Sequence, residues 1–208
     1  RKHDRFMQIV QTLVDHQAPA TGFIIAGSIE KGQWELLEEF RKAGLSLGNH
    51  TYTHRSLNSM SAANYIEDVA RADKKLSPVM TEPKFFRYPY LAEGTGEKRQ
   101  AVHNFLASLH YLIAPVTIDS KDYQFNEQLY HIPYRERPAR SPGLIKRYLA
   151  YIWSQTLRAE QRDAAENKPV KEILLLHANL LNSQALGDIL EMYQQNGYKI
   201  VPLSAIVQ

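Results

Sequence analysis

The segment GLSLGNHTYTH, residues 44–54, joins a helix stop, a short buried strand and two histidines. Gly44 follows an amphipathic stretch, residues 33–43, and glycine is the residue that most often ends a helix. Residues 45–48 are short and mostly apolar, as in a buried strand, and they lead directly to His50. A helix that feeds a buried strand is the repeating unit of a parallel sheet with helices outside it.

The same alternation extends in both directions from this segment. Apolar periodicity predicts helices at about 4–14, 33–43, 61–76, 97–109, 143–152 and 183–195, the first of them capped by Asp4. Short apolar runs predict strands at 21–26, 45–48, 84–87, 111–118, 172–176 and 198–202. A long loop rich in Tyr, Pro and Arg is predicted from Asp119 to about Pro142. The pattern indicates one α/β domain over residues 1–208.

Composition narrows the chemistry that this domain can perform. The chain has 208 residues, 44% of them hydrophobic, and a formal charge of +3. No apolar run approaches the roughly 18–20 residues that cross a bilayer. Because the cationic residues are scattered, a nucleic-acid partner is not supported. There are no cysteines, so any metal is held by His, Asp or Glu, which suits zinc and other divalent first-row ions.

Titratable residues cluster at the ends of four predicted strands: His50, His54, Arg87, Asp119, Asp122 and His177. In a parallel barrel the carboxyl ends of the strands face the same way and build the active site. We therefore expect these side chains to converge.

His50 and His54 have H-x-x-x-H spacing, which on one helical turn places both imidazoles on the same face, close enough to share an ion. Two surface or capping histidines are the alternative interpretation. The preceding Gly48-Asn49 and the position after a strand favour metal ligands.

Arg87 ends the next predicted strand, and the sequence Arg-Tyr-Pro-Tyr continues to Tyr90. Its guanidinium would clamp a carboxylate through two hydrogen bonds and keep it ionised, or it would form only a surface ion pair. Pro89 would set a turn in which the backbone N–H of Tyr90 donates to an oxyanion.

His177 ends the apolar run at 173–176 and has two interpretations. It is either a core residue bonded to a backbone carbonyl or a general acid tuned by a neighbouring carboxylate, for which Asp122 is the candidate. The segment 119–123 that contains Asp122 would otherwise be a solvated turn. We assign no role to the remaining histidines, His3, His16, His103, His110 and His131.

In chain order, four of these segments resemble motifs of the polysaccharide deacetylase family, also called the NodB-homology domain or carbohydrate esterase family 4. They are NHTYTH at 49–54, RYPY at 87–90, DSKDY at 119–123 and LLLH at 174–177. The resemblance extends over nearly the whole chain. It implies a distorted (β/α) barrel of about seven strands and a divalent ion, zinc first, for the removal of N-acetyl or O-acetyl groups from sugars.

Carried over position by position, the resemblance makes His50 and His54 metal ligands. It also implies that Arg87 holds the catalytic base, that the Tyr90 backbone N–H binds the oxyanion, and that His177 is the acid. Asp122 would orient and tune His177. Tyr123 stands where the family more usually has tryptophan, which keeps an aromatic wall for the substrate.

The family's first motif is a strand that ends in two consecutive aspartates, the base and a third metal ligand. No Asp-Asp pair occurs in these 208 residues. We therefore expect an incomplete N terminus, with the first strand and both aspartates ahead of Arg1, and weak metal binding by the chain as given.

The predicted function is the metal-dependent removal of acetyl groups from an acetylated glycan, with N-acetyl groups as the main candidate. The rivals are a non-catalytic carbohydrate-binding protein on the same fold and a metal-independent cyclic-amide hydrolase. The identity of the glycan and the oligomeric state stay open. The resemblance to this family favours a periplasmic or secreted location, and a cytoplasmic location stays open.

Overall fold

The computed structural model describes residues 2–208. In chain order, its helices are α1 (Lys2–Asp15), α2 (Gln33–Lys42), α3 (Ala62–Leu76), α4 (Gly96–Ser108), α5 (Asp122–His131), α6 (Arg137–Ala165) and α7 (Leu180–Gln195). Its strands are β1 (Thr21–Ile24), β2 (Ser46–Asn49), β3 (Lys84–Phe86), β4 (Tyr111–Ile113), β5 (Ile118–Asp119) and β6 (Leu174–Leu175). No helix within residues 2–208 is both long enough and apolar enough to cross a membrane.

The chain forms two compact units. The sheet unit comprises Pro19–Pro115 with Val201–Gln208, and the helical unit comprises the chain up to Ala18 with Val116–Ile200.

The sheet unit is built on a four-stranded parallel sheet in the order β1-β2-β3-β4. Helices α2, α3 and α4 connect successive strands, as the alternating pattern predicts. The apolar face predicted for α3, with Tyr65 and Leu76 among its members, is buried. Ser61 caps this helix by accepting a hydrogen bond from the Asn64 N–H at 3.1 Å, which satisfies one of the free donors of the first turn.

The helical unit contains the parallel pair β5–β6 together with α1, α5, α6 and α7. Its core lies where α6 packs on α7, around the buried side chains of Tyr148, Ile152, Leu181 and Ile189. The parallel α/β class predicted from the sequence is therefore confirmed, and the number of about seven strands stays a prediction.

Several boundaries predicted from the sequence are wrong. Most of the predicted loop from Asp119 to Pro142 is helical, because α5 and the start of α6 occupy it. Prolines suggested a loop, but a proline in the first turn of a helix, such as Pro138 in α6, replaces no hydrogen-bonded N–H.

Three smaller differences concern strands and a cap. The predicted strand 111–118 is divided between β4 and β5, which belong to different sheets. The predicted last strand at 198–202 is not a strand. Asp4 lies within the first turn of α1 instead of capping it.

Candidate active-site residues

His50 and His54 lie next to each other in the sheet unit, directly after β2. Their ring centroids are 4.8 Å apart. The expected helical turn is wrong, since Thr51 and His54 have φ angles of 67° and 61°, in the left-handed region that non-glycine residues rarely occupy. A loop brings the two imidazoles together where the spacing suggested a helix.

The orientation of the His50 ring follows from its hydrogen bond. Its Nδ1 lies 2.6 Å from the carbonyl oxygen of Arg87. A carbonyl can only accept, so Nδ1 carries the proton and Nε2 keeps the lone pair with which a neutral imidazole binds a metal.

A buried hydrogen-bond network holds the loop that carries both histidines. The Asn49 side-chain oxygen accepts from the Thr51 N–H at 2.8 Å, and the Thr51 hydroxyl accepts from the His54 N–H at 2.9 Å. The amide nitrogen of Asn49 donates to the hydroxyl of Tyr111 at 3.1 Å, which donates to Asp73 at 2.6 Å. Burial, and next the bond to Asp73, raise the pKa of Tyr111. Because Asn49 is fully buried, its amide can satisfy its hydrogen bonds only with this loop oriented as observed.

Two further contacts hold the middle of the same loop. Asp68, a buried residue of α3, accepts hydrogen bonds from the N–H and the hydroxyl of Thr53 at 3.2 and 3.0 Å. On the other side, the Gly27 N–H donates to the carbonyl of Tyr52 at 2.9 Å. A Cβ at position 27 would lie 2.4 Å from that carbonyl oxygen, so only glycine permits this approach.

Arg87 is buried directly after β3, beside His50. Its guanidinium donates to the carbonyls of Ala114 and Pro115 at 3.3 and 3.1 Å and lies 4.4 Å from the centre of the Phe23 ring. Burial lowers the pKa of Arg87 to about 10. This value is still well above 7, so the guanidinium is cationic at neutral pH. Among residues 2–208 no carboxylate forms an ion pair with Arg87, so the clamp on a carboxylate stays a prediction.

Tyr90 follows Arg87 in a single 3-10 turn at Pro89–Leu91, with φ 58° and ψ 16°. Its ring is exposed and lies 4.8 Å from the ring of His54. Bulky residues rarely adopt a left-handed backbone conformation, and those that do are found mostly at functional sites. The role of its backbone N–H as an oxyanion donor stays a prediction.

In the helical unit, His177 and Asp122 are hydrogen-bonded to each other. The Asp122 carboxylate accepts from His177 Nδ1 at 2.8 Å through one oxygen and from the His177 backbone N–H at 2.5 Å through the other. The Asp122 side chain is 1% exposed, whereas that of His177 is 59% exposed. A buried carboxylate thus orients an accessible imidazole, an arrangement suited to general acid or base catalysis.

Asn182 and Asn179 complete the surroundings of this pair, and sequence reasoning missed them. The side-chain amide of Asn182 donates to Asp122 and to the carbonyl of His177, both at 2.8 Å, while that of Asn179 lies 3.4 Å from Asp122. Asn179 also caps α7. The cap is a signal that the sequence carries, whereas the contact with Asp122 depends on residues 57 positions apart.

Asp119 and Tyr123 are the other two candidate residues of the segment 119–123. Asp119 accepts from the Lys121 N–H at 2.9 Å, a local turn contact. Tyr123 lies exposed in the first turn of α5, immediately after Asp122.

The imidazole pair provides part of a metal site. Catalytic zinc ions usually have three protein ligands. Two adjacent imidazoles, one with its Nε2 lone pair fixed by the Arg87 carbonyl, fit two of these positions. Within residues 2–208, no cluster of three or more His, Asp or Glu side chains is arranged to hold an ion. The two imidazole nitrogens are therefore suitable donors for a divalent ion, but they are one ligand fewer than the usual three.

Comparison with known proteins points to a single family. A family model described as polysaccharide deacetylase matches residues 2–108. A chitin deacetylase of Colletotrichum lindemuthianum is 29% identical over 125 residues, which is 58% of this chain and 48% of that protein. A peptidoglycan-N-acetylglucosamine deacetylase of Bacillus cereus is 25% identical over 118 residues, 56% of this chain and 41% of that protein. Among the curated relatives that it matches, the chain covers 24–48% of the length of three, including the chitin deacetylase of Colletotrichum lindemuthianum.

Solved structures show the same fold. The polysaccharide deacetylase Bc1974 of Bacillus cereus superposes with a TM-score of 0.69 and 21% identity, covering 95% of this chain and 84% of that one. A carbohydrate esterase family 4 pseudoenzyme from Bacillus anthracis superposes with a TM-score of 0.70 and 17% identity, covering 99% of this chain and 61% of that one.

Proposed function

The chain belongs to the polysaccharide deacetylase family, and from that premise we propose that the protein removes acetyl groups from a glycan, with N-acetyl groups as the first candidate. We further propose that His50 and His54 bind a divalent metal ion, zinc first, and that His177 is the acid. The observation that carries the proposal is the imidazole pair, whose rings lie 4.8 Å apart with the Nδ1 of His50 engaged by the Arg87 carbonyl.

The metal would supply the activation of the nucleophile. A divalent ion lowers the pKa of a bound water and polarises a carbonyl oxygen. The chain's own contribution is to hold two imidazoles in place before the ion arrives. Asn49, Asp68 and Gly27 fix the loop, and the carbonyl of Arg87 selects the His50 tautomer. Such preorganisation raises metal affinity because less freedom is lost on binding.

His177 would donate the proton that the departing amine requires. Its Nδ1 is held by the buried Asp122 carboxylate, so the ring's other nitrogen is the one that can deliver a proton. The Asp122 carboxylate keeps the ring in this orientation when that nitrogen takes up a proton for the next cycle. The names of the relatives, chitin and peptidoglycan-N-acetylglucosamine deacetylases, support an N-acetylated glycan as the substrate.

Acetate release tests the proposal. The protein carrying this chain, supplied with Zn²⁺, should release acetate from N-acetylglucosamine oligomers, and His50→Ala should lose at least about a hundredfold of that activity together with the bound zinc. His3→Ala, an exposed histidine of α1, is the matched control and should leave both unchanged. No acetate from any acetylated glycan with zinc bound, or full activity in His50→Ala, would refute the assignment.

A second candidate is a glycan-binding protein without catalysis. One observation favours it: a pseudoenzyme is among the proteins that share the fold. This candidate predicts saturable binding of N-acetylglucosamine oligomers, with no acetate released and no change in binding on His177→Ala.

A further inference from the structure

A cleft of about 640 Å³ lies between α5 and α6 in the helical unit. The buried side chains of Ile132 and Leu144 contribute its apolar floor, and Arg140, Arg147 and His131 contribute its polar lining. This volume is within the range of pockets that hold small ligands. None of these residues has a role in the proposed deacetylation.

The cleft lies in the most cationic part of the chain. Residues 130–147 contain five Lys or Arg residues and one carboxylate, Glu136, a net charge of +4 compared with +3 for the whole chain. Arg140 forms an exposed ion pair with Glu136 at 3.4 Å, which is weak because water screens it. Within residues 2–208 Arg147 forms no ion pair, so its guanidinium is available to an anion.

The spacing of the two arginines suits a repeating anion. Arg140 and Arg147 are seven residues apart on α6, so they project from the same side of the helix about 10 Å apart along its axis. Between them lies Gly143, where the nearest atom to an added Cβ would be the Arg147 guanidinium nitrogen at 3.9 Å. The absence of a side chain there leaves space between the cations.

Two exposed tyrosine rings belong to the same chain segment as His131 and Ile132, which line the cleft. Tyr134 and Tyr130 are 81% and 46% exposed. The Arg137 guanidinium lies 5.3 Å from the Tyr130 ring centre and 5.6 Å from that of Tyr134, and it also donates to the Ile132 carbonyl at 3.1 Å. Rings held in this way offer a large, rigid contact area at little entropic cost.

We propose that the α5–α6 cleft binds an acidic polysaccharide, with Arg140 and Arg147 holding uronate-type carboxylates and Tyr134 and Tyr130 contacting the sugar rings. The planar guanidinium fork matches a carboxylate through two hydrogen bonds, and the apolar face of a sugar packs on an aromatic ring. The choice of a carbohydrate over another polyanion rests on the family of the chain and does not require the proposed catalysis.

The cleft is separate from the His177–Asp122 pair of the same unit. Asp122 begins α5, and His131, at the rim of the cleft, ends it. Nine helical steps separate them by about 14 Å, so a ligand in the cleft leaves the Asp122 carboxylate untouched.

Calorimetric titration with polygalacturonate tests the proposal. The wild-type chain should bind it in 50 mM salt and should not bind neutral dextran of equal length. The double variant Arg140→Gln/Arg147→Gln should bind at least about tenfold more weakly, since two charge-assisted contacts are lost. Arg158→Gln/Lys171→Gln removes the same charge from exposed positions elsewhere in the helical unit and should change the affinity less than about twofold.

A second variant separates sugar recognition from charge. Tyr134→Ala should weaken polygalacturonate binding several-fold and leave the salt dependence of binding unchanged, because no charge is removed. The proposal is overturned if the wild type does not bind, if both double variants lose affinity equally, or if single-stranded DNA of equal charge binds as tightly. None of these readouts involves acetate, so the outcome is independent of the deacetylase proposal.

Discussion

Removing the Asp122 carboxylate should destabilise the helical unit severely. Asp122 is 1% exposed and accepts short hydrogen bonds from the Nδ1 and N–H of His177 and from the amide of Asn182, at 2.8, 2.5 and 2.8 Å. Asp122→Ala leaves all three donors without their acceptor. Buried donors that lose their partner retain the full desolvation cost.

The size of the loss follows from these contacts. Hydrogen bonds to a charged acceptor contribute about 1.5–3 kcal/mol each. The His177 ring is 59% exposed, so water replaces its lost bond in part, and the two better-buried donors dominate. We expect Asp122→Ala to lower the free energy of unfolding by about 3–5 kcal/mol, the range found when one partner of a buried pair is removed.

Urea denaturation followed by far-UV circular dichroism measures this change. Asp119→Ala is the matched control, because Asp119 accepts one local bond from the Lys121 N–H and should cost about 1 kcal/mol. Asp122→Asn keeps the shape and one acceptor but places an N–H opposite a donor. Its loss of unfolding free energy should therefore lie between those of Asp122→Ala and Asp119→Ala. A loss in Asp122→Ala no greater than that in Asp119→Ala would refute the reasoning.

Three further predictions concern other parts of the molecule. Gly27→Ala should weaken Zn²⁺ binding about tenfold in a calorimetric titration, because its Cβ would displace the Tyr52 carbonyl, whereas Gly143→Ala should not; equal effects would contradict this. Arg87→Lys should cost about 2–3 kcal/mol in urea denaturation, since the Phe23 contact and a carbonyl bond are lost, against less than about 0.5 kcal/mol for the exposed Arg41→Lys. Burial, and next Asp163, raise the pKa of Glu172 to about 7; the stability that its protonated form contributes is complete below about pH 4 and is lost as the pH rises through 7. Glu172→Gln should therefore raise the thermal midpoint at pH 8 and leave it unchanged at pH 4, and an equal shift at both would contradict the assignment.

Hydrophobic periodicity predicted the sheet unit well because its signals are local. Short apolar runs and helical periodicity require only neighbouring residues, and these elements form close to their predicted positions. The helical unit was predicted less well. Prolines and tyrosines in 119–142 suggested a loop, yet α5 and α6 form there because their apolar faces pack against each other and against α7, a tertiary gain that outweighs local propensity.

The sequence by itself determined the parallel α/β class, the positions of the candidate residues after strands, and the motifs that identify the family. Only the tertiary structure decided how those residues are held. The imidazoles of 50 and 54 are neighbours through a left-handed loop secured by Asn49 and Asp68, and Asp122 meets His177 across 55 residues. Such contacts form between side chains distant along the chain, and spacing within a motif carries no information about them.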